Sequence, residues 1–266
     1  RGKALGGSTS MNAMVYNRGH PLDYDHWAAL GNEGWSWREV LPYFKKSEHN
    51  ETINNEYHGQ GGPLNVAKLR SMNPFQEIYL EAARQAGFKM NTDFNGAEQE
   101  GIGLHQVMQK NGERWNAARA YLAPHLASRP NLTVITQARA QRILFTGKRA
   151  TGVEFLQSGE IHAFQAKHEL ILSAGAYQSP QLMMLSGIGA GAELQQFGIP
   201  VIHDLPGVGK NLQDHPDYIF AYRAKSLELL GFSLAGSLHF IKEVLRYRKH
   251  RTGMMTTNGA EGGGCI

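Results

Sequence analysis

The sequence predicts a mixed α/β (α+β) fold, because its hydrophobic pattern changes part-way along the chain. The first 100 residues place apolar side chains at helical spacing, whereas the stretch after Pro130 contains short runs rich in β-branched and aromatic residues. Glycine is also abundant, with 31 of 266 residues, about 12% where roughly 7% is usual. This excess indicates many tight turns at which the backbone can approach another group closely.

Composition and charge exclude several classes of protein. A hydrophobic content of 41% with 19% charged residues is typical of a globular core. No uninterrupted run of about 18 apolar residues is present, which argues against a spanning helix. Lys and Arg total 27 against 23 Asp and Glu, and the only dense basic run is 246–251, so no nucleic-acid partner is expected. The single cysteine, Cys265, excludes an intrachain disulfide.

Helices dominate the prediction for the first 90 residues. Capping signals support them, since Ser36 with Glu39 three residues later forms a capping box. Asn73 is a good N-cap before a proline, and Gly87 is a good stop. Helices are therefore predicted over 23–30, 36–46 and 74–86.

The remainder predicts a β-meander followed by alternating short elements. Three alternating runs separated by turn residues form the meander. Another run, 169–173, predicts a buried strand that enters Ala174 and Gly175. The last helix is predicted to place four apolar residues on one face: Leu234, Leu238, Ile241 and Leu245. Strands are predicted over 131–136, 142–145, 151–155, 161–166, 169–173, 201–202 and 218–222, and helices over 180–185, 190–197 and 234–250.

Generic site motifs fail when they are tested on this chain. The stretch 207–210 resembles a phosphate-binding loop, but Asn211 replaces the required Ser or Thr and Asp204 replaces a required glycine. No complete G-x-G-x-x-G fingerprint is present. The 12 histidines include no H-E-x-x-H pair, so no metal site is predicted. Residues 6–10 do not form a nucleophile elbow.

One glycine–serine segment, residues 1–19, stands out. Gly6 and Gly7 allow backbone N–H groups to face an anion without side-chain obstruction. Ser8 and Thr9 add hydroxyl donors, and Asn12 offers a donor and an acceptor. The pattern predicts either contact with a cofactor that has a polar ring and a phosphate tail, or a simple turn before a helix.

The segment resembles the first signature of the glucose–methanol–choline (GMC) oxidoreductases, and further motifs of that family follow in the family's order. These motifs occupy 18–27, 34–44, 58–64, 118–132, 173–189 and 205–216. The resemblance spans essentially all 266 residues. It implies an incomplete FAD-binding Rossmann-like domain with a β-meander and the start of an antiparallel-sheet substrate domain. The implied division is 1–50, FAD-binding; 51–105, helical connection and part of the substrate domain; 106–213, FAD-binding with the second signature; and 214–266, start of the substrate domain.

The resemblance also implies what lies outside the chain. The family's G-x-G-x-x-G unit is expected before Arg1, and its catalytic histidine after Ile266, so no catalytic residue is assigned here. Both ends look like cuts within a longer protein. The isolated chain is therefore expected to be inactive and to bind FAD weakly.

Site residues follow from the resemblance. Ala140 falls where the family commonly has a valine whose backbone meets the adenine. No histidine lies between Arg1 and Arg18, so dissociable FAD is expected. Glu261 resembles a glutamate near the family's substrate domain, and it would bind a cationic head group, order the pocket or lie on the surface. The implied FAD contacts are Leu5, Gly6, Gly7, Ser8, Asn12, Ala13, Met14, Val15, Ala140, Ala174 and Gly175.

The function implied is that of an FAD-dependent oxidoreductase acting on the CH–OH group of a primary alcohol. Hydride would pass to flavin N5, and electrons would go on to an acceptor such as quinone or oxygen. The stretch 109–122 resembles the bacterial alcohol and choline dehydrogenase branch, which implies a bacterial protein that is cytoplasmic or peripheral to the inner membrane. The basic run 246–251 would either rest on anionic lipid or offset a helix dipole. Choline dehydrogenase, a hydroxynitrile lyase-like FAD protein and a non-catalytic truncated module remain alternatives.

Overall fold

The computed structural model describes residues 2–216, 225–226 and 233–265, which form two compact units. Unit 1 comprises residues 2–132 with the described residues from 225 onward, and unit 2 comprises 133–216. Helices and strands occur in both units, so the predicted mixed α/β class is confirmed. The predicted division into four segments stays a prediction.

The regular elements are short. The α-helices are α1 (Pro21–Ala29), α2 (Trp37–Ser47), α3 (Pro74–Gln85), α4 (Ala123–Leu126), α5 (Gln178–Leu185), α6 (Gly191–Gln196) and α7 (Leu234–His250). The strands are β1 (Glu48–Asn50), β2 (Leu64–Val66), β3 (Gly101–Leu104), β4 (Gln109–Lys110), β5 (Glu113–Arg114), β6 (Arg139–Thr146), β7 (Arg149–Gln157), β8 (Glu160–Gln165), β9 (Ile188–Gly189), β10 (His203–Asp204) and β11 (Gly262–Cys265).

The three helices predicted near the N-terminus are confirmed, and their caps explain where they begin. Helix α1 begins two residues before the predicted start, at Pro21, because the His20 ring accepts a hydrogen bond from the Leu22 N–H. Ser36 and Glu39 form the predicted capping box of α2. The Asn73 side chain accepts a 3.0 Å hydrogen bond from the Phe75 N–H at the start of α3.

Unit 1 is built from several two-stranded pairings. Strands β1 and β2 pair in parallel, whereas β3 pairs with β11 and β4 with β5 in antiparallel register. Val107 adds antiparallel bridges to Val15 and to Ala67, the residue after β2. Val66 and Val107 are fully buried, so the apolar core of the unit lies directly behind the first signature.

Unit 2 is organised by the predicted meander, which is confirmed. Strands β6, β7 and β8 form one antiparallel sheet in that order. The buried Ser186 hydroxyl, just after α5, accepts a 2.8 Å hydrogen bond from the Ile143 N–H and donates to the Leu182 carbonyl. This hydroxyl fastens the end of α5 to strand β6. Helices α5 and α6 agree with the predicted 180–185 and 190–197.

Three strand predictions in this region are wrong or displaced. Residues 131–136 and 169–173 form no strand. Ile171 is 78% exposed, so the expected buried strand is a solvent-facing segment. The strand expected at 201–202 lies at β10 instead. A β-branched composition shows that a segment is compatible with a sheet. A strand forms only where that segment also has a hydrogen-bonding partner. The predicted strand 218–222 lies outside the described residues.

Helix α7 has the predicted bounds but buries the opposite side from the one that its sequence suggests. Leu234, Leu238, Ile241 and Leu245 are each more than half exposed. The buried side chain is Glu243, which accepts a 2.8 Å hydrogen bond from the Met254 N–H. No described helix is long and apolar enough to cross a membrane.

Candidate functional site: a glycine–serine turn anchored by a buried charge cluster

The first signature forms a tight turn that only glycine can begin. Gly6 and Gly7 adopt φ values of +91° and +56°, and a short 3₁₀ turn spans Gly7–Ser10. A Cβ at Gly6 would lie 2.6 Å from the Ser10 hydroxyl oxygen, so a larger residue there would displace the turn. The Ser10 hydroxyl instead donates a 2.7 Å hydrogen bond to the Leu5 carbonyl, which closes the turn.

Polar groups of this turn remain available for a ligand. Among the described residues, the Ser8 hydroxyl and the Asn12 amide nitrogen make no hydrogen bond, and both side chains are exposed. Arg114 donates hydrogen bonds of 2.6 and 3.1 Å to the Asn12 and Thr9 carbonyls, which places a cation beside the turn. A Cβ at Gly7 would meet nothing within 4 Å. Free donors, a nearby cation and open space fit a phosphate-bearing cofactor such as FAD.

Backbone hydrogen bonds hold the end of the first signature in place, whereas the Ser8 and Asn12 side chains are exposed. Met14 is buried and adopts φ of +59°, a conformation that is strained for a non-glycine residue. Its carbonyl accepts a 2.8 Å hydrogen bond from the Met108 N–H. Two residues on, the Tyr16 N–H donates to the Gln106 carbonyl at 2.9 Å. These bonds fix Ala13, Met14 and Val15 at the edge of the core.

A cluster of four charged side chains, three of them buried, lies behind this segment, and the sequence patterns did not predict it. We call it the His58 cluster, and its members are Arg18, Glu48, His58 and Asp93. Arg18 contacts Glu48 at 2.6 Å, while the two ring nitrogens of His58 contact Glu48 at 2.8 Å and Asp93 at 3.0 Å. No local spacing connects four residues that are so far apart in the chain, so only the fold could reveal the cluster.

The charges in the cluster stabilise one another. Burial acts to lower the pKa of His58, but the hydrogen bonds with Asp93 and Glu48 outweigh it and raise that pKa to about 9. Burial acts to raise the pKa values of Glu48 and Asp93, and the hydrogen bonds with His58 in turn lower both. His58 is therefore protonated at neutral pH. No group of described residues has the arrangement of a metal site.

Unit 2 brings two of the predicted FAD residues together. Ala140, on β6, and Ala174, just before α5, both line a cavity of about 490 Å³. Gln178 and Gln181 supply polar groups to this cavity. Gly175 follows with φ of +94° and open space around its Cα. Main-chain contact with a planar ring is possible at such a wall because the side chains are small.

Glu261 lines a separate cavity in unit 1, of about 410 Å³. Its side chain is buried, and its two oxygens accept hydrogen bonds from the Asn73 N–H at 2.8 Å and the Thr257 hydroxyl at 2.6 Å. The carboxylate connects the start of α3 to the segment before β11. It is not a surface carboxylate.

Comparison with known proteins gives the family. The model of the GMC oxidoreductase family matches residues 1–217. The alcohol dehydrogenase (acceptor) of Pseudomonas putida is 45% identical over all of this chain and 49% of its own length. The mitochondrial choline dehydrogenase of Homo sapiens is 48% identical over 81% of this chain and 36% of its own length. The chain thus spans about half or less of the length of these curated relatives.

Solved structures agree with the sequence comparison. An FAD-dependent oxidoreductase from Chaetomium thermophilum superposes with a TM-score of 0.84 at 31% identity, covering 96% of this chain and 47% of that one. A formate oxidase superposes with a TM-score of 0.87 at 29% identity, covering 98% and 47%. The family match covers most of the sequence and the structural match covers nearly all of it. The chain belongs to the GMC oxidoreductase family.

Proposed function

We propose that this chain is the cofactor-binding part of an FAD-dependent oxidoreductase that oxidises the CH–OH group of a primary alcohol. The observation that carries the proposal is the similarity, along the whole chain, to the alcohol dehydrogenase (acceptor) of Pseudomonas putida. The uncommitted donors of the first signature support it, because they suit a phosphate-bearing cofactor.

The chain's own residues would bind and orient the cofactor. Ser8 and Asn12 would donate hydrogen bonds, Arg114 would add positive charge, and Gly6 and Gly7 would let the backbone approach. Leu5, Ala13, Met14 and Val15 would pack against the flavin part. In unit 2, Ala140 and Ala174 would face the cofactor from the wall of their cavity, and Gly175 would approach it from the turn that follows Ala174. When bound, FAD supplies hydride acceptance at N5 and passes electrons to an acceptor such as quinone or oxygen.

Glu261 is proposed to order the substrate pocket and not to bind a cationic head group. Both of its oxygens accept hydrogen bonds from the protein, and these bonds hold the carboxylate between the start of α3 and the segment before β11. An uncharged primary alcohol is the proposed substrate, because the relative that matches along the whole chain is an alcohol dehydrogenase (acceptor).

The first experiment is a visible absorption spectrum of the full-length gene product, before and after anaerobic addition of an alcohol. An uncharged primary alkanol is expected to bleach the flavin bands, and choline is expected to bleach them more slowly. Bands that no alcohol bleaches would favour the lyase alternative. A protein without flavin bands would favour the non-catalytic module and contradict the proposal.

A matched variant tests the binding residues. Ser8→Ala removes an exposed hydroxyl that makes no bond within the described chain, so thermal unfolding of the apoprotein should be unchanged. FAD dissociation should become several-fold faster, because one hydrogen bond contributes about 1 kcal/mol. Ser237→Ala, at an exposed serine of α7 that lies outside both signatures and has no described side-chain partner, is the control and should leave FAD dissociation unchanged.

A further inference from the structure

His58 lies between two carboxylates and has no exposed surface. Its Nδ1 is 2.8 Å from Glu48 Oε1, and its Nε2 is 3.0 Å from Asp93 Oδ2. An acidic oxygen accepts and cannot donate when ionised, so both ring nitrogens must donate. The ring therefore joins β1 to the segment before Asn95 through two donated hydrogen bonds.

The first of these bonds leads to the side chain of Arg18. Glu48 Oε2, the oxygen not engaged by the ring, accepts a 2.6 Å hydrogen bond from Arg18 Nη2. Arg18 Nη1 donates to the Tyr57 carbonyl at 2.7 Å, one residue before His58. The guanidinium is thus held on one side by Glu48 of β1 and on the other by the residue that precedes His58.

The second bond leads to the backbone of the same residue. Asp93 Oδ1 accepts from the Asn95 N–H at 3.1 Å. The Asn95 side chain then accepts from the Arg18 N–H at 2.7 Å and donates to the Tyr16 carbonyl at 2.8 Å. The hydrogen bonds close a ring that begins at His58 and returns to it through 16–18.

We propose that His58 is a positioning residue for the cofactor: by donating to Glu48 and Asp93 together, it sets the backbone of 14–18 and so the presentation of the first signature to FAD. This inference rests on the proposed function. Met14 and Val15, the implied flavin contacts, lie directly before the clamped residues, and the strained φ of Met14 requires its surroundings to hold it.

The charge balance of the cluster supports a doubly donating ring. Arg18 and protonated His58 carry two positive charges, and Glu48 and Asp93 carry two negative ones. The hydrogen bonds with Asp93 and Glu48 raise the pKa of His58 to about 9 against the effect of burial. The nearby Tyr16 does not titrate in this range, because burial raises its pKa above the usual 10. Deprotonation above pH 9 would leave one N–H for two buried carboxylates.

The test measures FAD dissociation from the holoenzyme by recovery of free-flavin fluorescence, at pH values from 7 to 10. In the wild-type enzyme, the dissociation constant is expected to rise about tenfold as pH passes through about 9. His58→Gln is expected to bind FAD about tenfold more weakly already at pH 7 and to lack the step near pH 9. An amide nitrogen can face one carboxylate, but its carbonyl oxygen would then face the other.

His26→Gln is the matched control, because His26 is an exposed residue on α1 outside the cluster. It should reproduce the wild-type profile. Circular dichroism at each pH ensures that only folded protein is compared, so general unfolding does not mimic the effect. If His58→Gln fails to fold, the wild-type profile decides the matter without it.

The outcomes separate the two proposals. Folded holoenzyme that binds FAD equally well from pH 7 to 10 would overturn the role of His58 and leave the cofactor proposal standing. A wild-type step that persists unchanged in His58→Gln would overturn it as well. Full-length protein that binds no FAD at any pH would instead contradict the proposed function.

Discussion

Among the described residues, unit 1 buries charged side chains, whereas unit 2 buries none. Among the described residues, the buried polar side chains of unit 1 include all of the His58 cluster except the part-exposed Asp93, while in unit 2 Ser186 is the one buried polar side chain. Both units expose large apolar residues, among them Leu234 at 83% in unit 1 and Ile171 at 78% in unit 2.

The contrast predicts where single substitutions will change the free energy of unfolding. A buried charge is tolerated only with a partner in the right place, so removing one member leaves an uncompensated charge behind. An exposed apolar residue contributes little, because it has not left water. Unit 1 should therefore respond strongly to single polar substitutions, and unit 2 only where a side chain is buried.

The largest loss of unfolding free energy is expected for Glu48→Gln. The change removes one of two buried carboxylates and leaves Arg18 and His58 with an excess positive charge. Unit 1 should lose about 3–5 kcal/mol of unfolding free energy, measured by guanidinium titration with hydrogen exchange to identify the unit. The control is Glu98→Gln at the exposed pair with Lys89, which should change nothing measurable. Equal losses of unfolding free energy in the two variants would show that the cluster contributes no more to stability than an exposed ion pair.

The next effect is a loss of unit 1 stability at alkaline pH. The pKa of His58 in the folded protein, about 9, exceeds the 6.5 of an exposed histidine. The stabilisation that protonated His58 provides is therefore fully present below pH 6.5 and is lost as pH rises through 9. The loss amounts to about 3 kcal/mol of unfolding free energy. Guanidinium titrations at pH 6 and 9.5 measure it. Unit 2 is the internal control, and a parallel loss there would assign the effect to other groups.

A smaller effect is expected in unit 2 for Ser186→Ala. Loss of the hydroxyl leaves the Ile143 N–H without its acceptor beneath α5, which should cost about 1–3 kcal/mol. Ser173→Ala, at an exposed serine, is the control and should have no effect on stability. Hydrogen exchange at the Ile143 amide provides the measurement. Unchanged protection of that amide would mean that the serine does not fasten the helix.

The smallest effect is expected for Ile171→Ser, within about 0.5 kcal/mol, because the side chain is largely in solvent. Ile143→Ser is the matched change at a buried isoleucine, and it should cost more than about 2 kcal/mol. Comparable losses of unfolding free energy at the two sites would show that the Ile171 side chain is packed in the folded protein.

Local patterns predicted much of the fold. The helices beginning near Pro21, Ser36 and Asn73 depend on caps within a few residues of their ends, so the sequence contains the information. The meander depends on short hairpin connections between neighbouring strands. The strands expected at 131–136 and 169–173 depend on distant partners, and composition does not report those.

The features of the candidate site also divide into those that the local sequence predicts and those that only the fold brings together. The order of the motifs along the chain was enough to predict the family. The turn at Gly6–Gly7 was predictable as well, because freedom at positive φ is a property of glycine alone. Only the tertiary structure brought His58 between Glu48 and Asp93 and closed their bonds onto Arg18. Such a cluster depends on pairings between residues far apart in the chain, and the strength of each pairing depends on burial, which no single segment determines.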